Sequence, residues 1–261
     1  MNLKEKKLFL LDMDGTVYRG NALFDETPGF LDFLKKTGRR YIFFTNNSSK
    51  SRSSYVEKLK KLGIESSESD FVTSADVTEI YLLKKQYKKI YVFGTKSLAR
   101  QLASAGLNVT TVISEDIDCL CIGFDTELTF QKIEDACILL KRGVDFVATH
   151  PDLTCPTEYG CVPDCGAVCE MLFNATGRRP KVIGKPESNM PLLAMKRCGC
   201  TSEETAIVGD WPYTDLLCGN NSGITSIFVL SGDGKLSDLE KSGAKPDFIY
   251  NSIKDIHKEL L

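Results

Sequence analysis

Two aspartates, Asp12 and Asp14, close the apolar run Leu8–Leu11 in "LFLLDMDGTVYRG". Residues two apart on an extended chain point to the same face. Carboxylates placed that way raise each other's pKa unless something positive stands between them. Three further polar clusters also follow apolar runs. "FFTNNSS" puts Thr45, Asn46 and Asn47 at the end of one, and "VIGKPES" puts Lys185 just past another. "AIVGDWPYTD" puts Asp210 directly after a third, with Asp215 beyond it.

If these runs are neighbouring strands of a parallel sheet, their ligands gather outside the carboxyl ends and the four clusters converge. Carboxylates without His or Cys suit a hard cation, Mg²⁺. A lysine, a hydroxyl and helix N-termini suit a phosphate group. With a carboxylate left to attack phosphorus, this is the inventory for phosphoryl transfer through an aspartyl-phosphate. Taken singly, each residue has a plainer use. Asp12 could be a turn residue, Thr45 a helix cap and Lys185 a solvated surface lysine, while Asp210 and Asp215 could flank a helix start. The chemical reading rests on finding all four clusters together, each after a strand.

The elements that must position them follow from the alternation of apolar runs with helical patterns, which predicts an α/β fold. Strands are expected at 8–12, 40–45, 90–93, 119–124, 145–149, 181–183, 205–208, 224–229 and 247–249. Helices are expected at 29–36, 51–61, 75–85, 96–105, 130–142, 166–175, 191–197 and 213–219. Residues 17–20 read as a small flap beside the aspartate pair. After His150 the chain runs "PDLTCPTEYGCVPDCG", rich in Pro, Gly and Cys and without a period. Long irregular stretches in compact domains are usually functional or disordered. The segment 75–177 reads as a separate α/β module inserted into a core made of 1–74 and 178–261.

The 261-residue chain carries a formal net charge of −2, which gives no sign of a nucleic-acid polymer or a membrane as partner. No apolar run reaches the roughly 18–20 residues that span a bilayer, and the charged N-terminus has no signal-like stretch. A cytoplasmic location is expected. The ten cysteines contain no C-x-x-C pair, and the two histidines complete no zinc spacing. They read as free thiols in a reducing compartment, with a disulfide or a metal as the minority alternative. The sequence is compatible with a homodimer and does not specify one.

From Leu8 to about Val229, the motifs "DMDGTVYRG", "FFTNNSS", "ATHPDLTCPTEYG", "PDCGAV", "GKPES" and the late "TD" resemble the haloacid dehalogenase-like superfamily, and within it the NagD-type phosphatases. The resemblance implies a Rossmann-like core with helices on both faces of its sheet, interrupted by an α/β cap of about a hundred residues. It implies a Mg²⁺-dependent phosphomonoesterase for small metabolites such as sugar phosphates, nucleotides or aryl phosphates. Asp12 would be the nucleophile, and Asp14 the acid that protonates the leaving alcohol and then the base that activates water. Asp12, the Asp14 backbone carbonyl and Asp210 would hold the metal, with Asp215 close by. Thr45, Asn46, Asn47 and Lys185 would hold the phosphate. His150, in the cap segment, would contact the leaving group or be satisfied by its own backbone neighbours. The family usually shows polar residues after the Gly-Asp of the last motif, where this chain has Trp211-Pro212-Tyr213. Trp211 suits either packing or stacking on a substrate ring. Transfer of the phosphoryl group to an alcohol, and a non-catalytic binding module, are the competing readings.

Overall fold

The computed structural model describes residues 2–157 and 159–261; Glu158, within one of the motifs quoted above, lies outside the described residues. The chain divides into two compact units. One comprises 1–45, 56–72 and 185–261, the other 46–55 and 73–184.

The first unit is built on a six-stranded sheet. Its order is Phe248–Tyr250, Thr225–Val229, Thr205–Gly209, Leu8–Leu11, Arg40–Thr45 and Phe71–Thr73. Leu8–Leu11 is inner, paired in parallel with Thr205–Gly209 on one side and Arg40–Thr45 on the other. All four of its residues are fully buried. A strand covered on both faces reads as a continuous apolar run rather than an alternation, which is why "LFLL" is apolar throughout. Parallel neighbours cannot be joined by a tight turn, so a helix must carry the chain back across the sheet. Thr27–Lys36 does this between the first two strands, with Pro28 in its first turn, where the missing N–H costs little. Every parallel strand of this sheet therefore releases its next loop at the same sheet edge, and the clusters at Asp12, Thr45 and Asp210 occupy those loops. The short strand before Lys185, expected to be their neighbour, pairs instead within the second unit's sheet.

The second unit carries its own parallel sheet, ordered Lys181–Val182, Asp145–Ala148, Cys119–Ile122, Ile90–Phe93 and Val109–Thr110. Cys119 and Cys121 are both buried in its central strand, and all ten cysteines are free thiols. Phe130–Arg142 and Cys165–Thr176 pack Leu139, Leu140, Val168 and Leu172 into the core beside that sheet.

Several elements differ from the sequence reading. The unpatterned stretch after His150 contains an antiparallel hairpin, Thr154–Thr157 with Gly160–Pro163. Its described residues are largely exposed, so no face is selected for burial and no alternation is written into the sequence. Phe71–Thr73 is a strand of only three residues. The helix expected over 213–219 is a single π-helical turn, Pro212–Leu216, followed by a short α-helix, Leu217–Ser222. Such turns occur mostly as local interruptions near functional sites. Two helices, Leu236–Ser242 and Ile253–Leu260, were not expected. Among the described residues no helix is long and apolar enough to cross a membrane.

Leu10 lies in the middle of the inner strand with no solvent exposure. Leu10→Ala should cost about 3 kcal/mol by loss of transfer free energy and creation of a cavity. Urea denaturation measures this, and a loss below about 1 kcal/mol would contradict the packing described.

Candidate active site

Asp12 is the first residue after Leu8–Leu11, and its N–H donates to Val208 O at 2.9 Å, continuing the ladder. Asp210 is the first residue after Thr205–Gly209, the adjacent strand. Their neighbourhood in the sheet brings together residues about two hundred positions apart in sequence. The π-helical turn returns Asp215 to the same place, where its Oδ2 accepts from Trp211 N–H at 3.1 Å. Asp12, Asp210 and Asp215 each offer an oxygen, and these oxygens lie within 4.8 Å of one another.

Lys185 joins this cluster. Its Nζ donates to Asp12 Oδ1 at 2.7 Å, to Asp215 Oδ1 at 2.6 Å and to Phe44 O at 3.4 Å. Its side chain is only 3% exposed. Burial alone would lower the Lys185 pKa, but the Asp12 and Asp215 carboxylates outweigh it and hold the ammonium charged. Burial and the nearby Asp215 carboxylate push Asp12 well above the usual range, against the opposing pull of Lys185. The same two causes raise Asp210 to about 7, opposed by the Asp233 N–H and Lys185. The three acids carry more negative charge than one lysine neutralises. All the donors are oxygens, so a hard divalent cation fits the set.

Two glycines leave room for Asp210. At Gly15 the backbone adopts φ +92°, and an added Cβ would fall 2.4 Å from Asp210 Oδ2. At Gly232 an added Cβ would fall 1.8 Å from that oxygen. The loop beyond Thr225–Val229 also supplies Asp233 N–H to Asp210 Oδ2 at 3.0 Å, and Thr16 Oγ1 lies 3.4 Å from Asp210 Oδ1. The sequence reading did not use this loop. Its signal is "SGDGK" (231–235), a fifth polar segment after an apolar strand.

Asp14 is outside the three-carboxylate cluster. Its carboxylate is 42% exposed and faces Tyr18 and Lys58. Gly15 N–H donates to Tyr18 O at 2.8 Å, closing a turn that leads into the hairpin Tyr18–Arg19 with Ala22–Leu23, where the flap was expected. Thr45 is buried at the end of its strand. Trp211 is half-exposed, with the Tyr213 ring 5.5 Å from it.

Asn46, Asn47 and His150 belong to the second unit. Asn46 Nδ2 donates to Asp152 Oδ2 at 3.1 Å, and the Ser74 hydroxyl donates to Asn46 O. Asn47 Oδ1 accepts from Ser49 N–H at 3.0 Å and from Ser49 Oγ at 2.7 Å. His150 is fully buried between two carboxylates, with Nδ1 3.1 Å from Asp152 Oδ2 and Nε2 3.5 Å from Asp164 Oδ1. Neither contact is aligned as a hydrogen bond, so the attraction is that of a charged ring between anions. Burial would lower the His150 pKa, but Asp152 in particular raises it to about 9. Asp152 and Asp164 went unremarked as partners in the sequence because only the fold sets them on either side of the ring.

Residues 9–108 match a sequence family described as haloacid dehalogenase-like hydrolase, and residues 182–256 match a second haloacid dehalogenase-like hydrolase family. The acid sugar phosphatase of Staphylococcus aureus is 32% identical over 259 residues, covering 99% of both chains. The crystal structure of 4-nitrophenylphosphatase from Thermotoga maritima superposes with a TM-score of 0.92, at 38% identity over 99% of each chain. NagD from Escherichia coli K-12 does so with a TM-score of 0.86, at 30% identity over 97% of this chain and 98% of its own.

Lys185→Met removes the ammonium bonded to both Asp12 and Asp215, and stranding buried charge of that kind typically costs about 3–5 kcal/mol. The metal-free variant should lose that much stability at neutral pH by urea denaturation, and a loss under about 1 kcal/mol would contradict the pairing. His150 gives a pH dependence. A base whose pKa is raised on folding holds its proton more tightly in the folded chain. Its stabilisation is complete below about 6.5 and is lost as pH rises through about 9. His150→Gln should flatten the decline in urea midpoint across that interval; equal declines in both proteins would contradict the charged ring.

Proposed function

The chain belongs to the haloacid dehalogenase-like hydrolases, in their NagD-type branch, and from that membership we propose that it hydrolyses small phosphorylated metabolites through an aspartyl-phosphate on Asp12. It is a phosphatase by family. The names of its relatives supply the substrate class: sugar phosphates and aryl phosphates, with nucleotides as a third class expected from sequence. The observation that carries the reading is Asp12, bonded to Lys185 at 2.7 Å and clustered with Asp210 and Asp215.

Magnesium is the cation that would suit these oxygen donors; Asp12, Asp210 and the Asp14 backbone carbonyl would hold it, with Asp215 beside them. When bound, it supplies Lewis-acid neutralisation of phosphate oxygens and of the surplus carboxylate charge. Asp12 attacks phosphorus, and Lys185 keeps a positive charge where two anions must approach. Thr45, the Asn46 backbone and Asn47 hold the phosphate oxygens in place. Asp14 gives a proton to the departing alcohol and takes one from the water that follows, as a positioned acid–base must. His150, fully buried, acts indirectly in this reading, by holding Asp152, which accepts from the Asn46 amide. Residues 75–177 form the cap in this reading, and the ten free thiols favour a reducing, cytoplasmic setting.

Asp12→Asn replaces the nucleophile with an amide of nearly the same shape. Phosphate release from 4-nitrophenyl phosphate and a sugar phosphate should fall at least about a thousandfold, with the melting temperature retained. Chelation should silence the wild-type protein and added Mg²⁺ restore it. Near-normal turnover by the variant, or indifference to chelator, would overturn the mechanism.

A further inference from the structure

We propose that Lys58, together with Tyr18, is a positioning pair for Asp14 and so governs how well the enzyme handles poor leaving groups. The inference rests on the phosphatase reading and adds residues to it. Lys58 lies on the helix Arg52–Lys61, whose other late lysines, Lys60 and Lys61, are exposed. Lys58 is drawn in. Its Nζ sits 3.7 Å from the Tyr18 ring centroid and 3.8 Å from Asp14 Oδ1. The Tyr18 hydroxyl donates to the other oxygen, Asp14 Oδ2, at 3.3 Å.

Contacts to both oxygens fix the plane of the carboxyl group, which one contact alone would leave free to rotate. Tyr18 is itself immobile. It is fully buried, its N–H donates to Met13 O at 3.2 Å, and its carbonyl accepts from Gly15 N–H at 2.8 Å. The ring therefore gives the ammonium a fixed seat, and the ammonium gives the carboxylate a fixed partner. Stability does not account for this arrangement, since a half-exposed ion pair is worth at most about 1 kcal/mol. A general acid gains more, because a misplacement of about 1 Å can cost on the order of a hundredfold in rate.

Asp14 matters at a defined step. As the Asp12 carboxylate oxygen forms its bond to phosphorus, the bond from phosphorus to the ester oxygen breaks, and the Asp14 carboxylic proton passes to that oxygen. Water then bonds to phosphorus while the Asp12–phosphorus bond breaks; the Asp14 carboxylate takes the proton from that water, and inorganic phosphate leaves. The first proton transfer is indispensable for a strongly basic alkoxide and nearly dispensable for 4-nitrophenolate, which leaves as a stable anion. Loss of Asp14 positioning should therefore show as selectivity between leaving groups.

The test compares kcat/KM for glycerol 3-phosphate and 4-nitrophenyl phosphate, both with saturating Mg²⁺, in wild type, Lys58→Met, Lys58→Arg and Tyr18→Phe. Lys58→Met keeps the apolar stem over the ring and removes the charge. It should lose about tenfold or more on glycerol 3-phosphate and less than about twofold on 4-nitrophenyl phosphate. The loss should lie in kcat rather than KM, with an unchanged melting temperature. Lys58→Arg should recover most of it, and Tyr18→Phe should show the same selectivity in weaker form. Equal losses on the two substrates, a loss carried by KM, or no loss would overturn the inference while leaving the phosphatase reading intact. A wild-type protein that hydrolyses neither substrate would overturn that reading, and this inference with it.

Discussion

A single buried ammonium, that of Lys185, is shared by two carboxylates, Asp12 and Asp215. Desolvating three charges together is expensive, and the arrangement survives only because the ion pairs and their hydrogen bonds offset that cost. Everything around it serves the placement. The inner strand Leu8–Leu11 delivers Asp12, the neighbouring strand delivers Asp210, and the π-helical turn brings Asp215 back to them. Gly15 and Gly232 are glycines because Asp210 occupies the space where their Cβ atoms would lie. One lysine faces three acids, and burial together with the crowding of their charge raises the pKa values of Asp12 and Asp210; a further cation would relieve the crowding.

The two aspartates of the opening motif are separated by environment. Asp12 is 13% exposed and held by Lys185, whereas Asp14 is 42% exposed and faces Tyr18 and Lys58. Adjacent carboxyls with different surroundings can do different work, the general pattern by which one site runs both nucleophilic and acid–base steps. In the second unit a related economy appears. His150 stands between Asp152 and Asp164; Asp152 takes the Asn46 amide and Asp164 caps the helix Cys165–Thr176. One buried ring thus ties a loop to a helix start.

Much of this was legible in the sequence, for identifiable reasons. Strands buried on both faces must be apolar throughout, so Leu8–Leu11, Cys119–Ile122 and Thr205–Gly209 announced themselves. The polar residue that follows such a strand stands out by contrast, which marks Asp12 and Asp210. Lys185 follows only the short, partly exposed strand Lys181–Val182 and is marked by its "GKPES" motif. Other features left no local trace. The hairpin Thr154–Thr157 with Gly160–Pro163 buries no face, and Phe71–Thr73 is too short to show a period. Lys58 sits in a helix carrying three more basic residues besides itself, Arg52, Lys60 and Lys61, and nothing but the fold sets it apart. The partners of His150 were hidden for the same reason: contacts made by folding have no spacing to read.

The central claim is that Asp12 carries the phosphoryl group in the course of turnover. Acid quenching during steady-state turnover of a phosphate ester, followed by peptide mass spectrometry, tests it most directly. The account predicts one added phosphoryl group on the peptide containing Asp12, lost on treatment with hydroxylamine and absent in Asp12→Asn. Active protein with no covalent phosphoryl group at any quench time, or with the group on another residue, would contradict it.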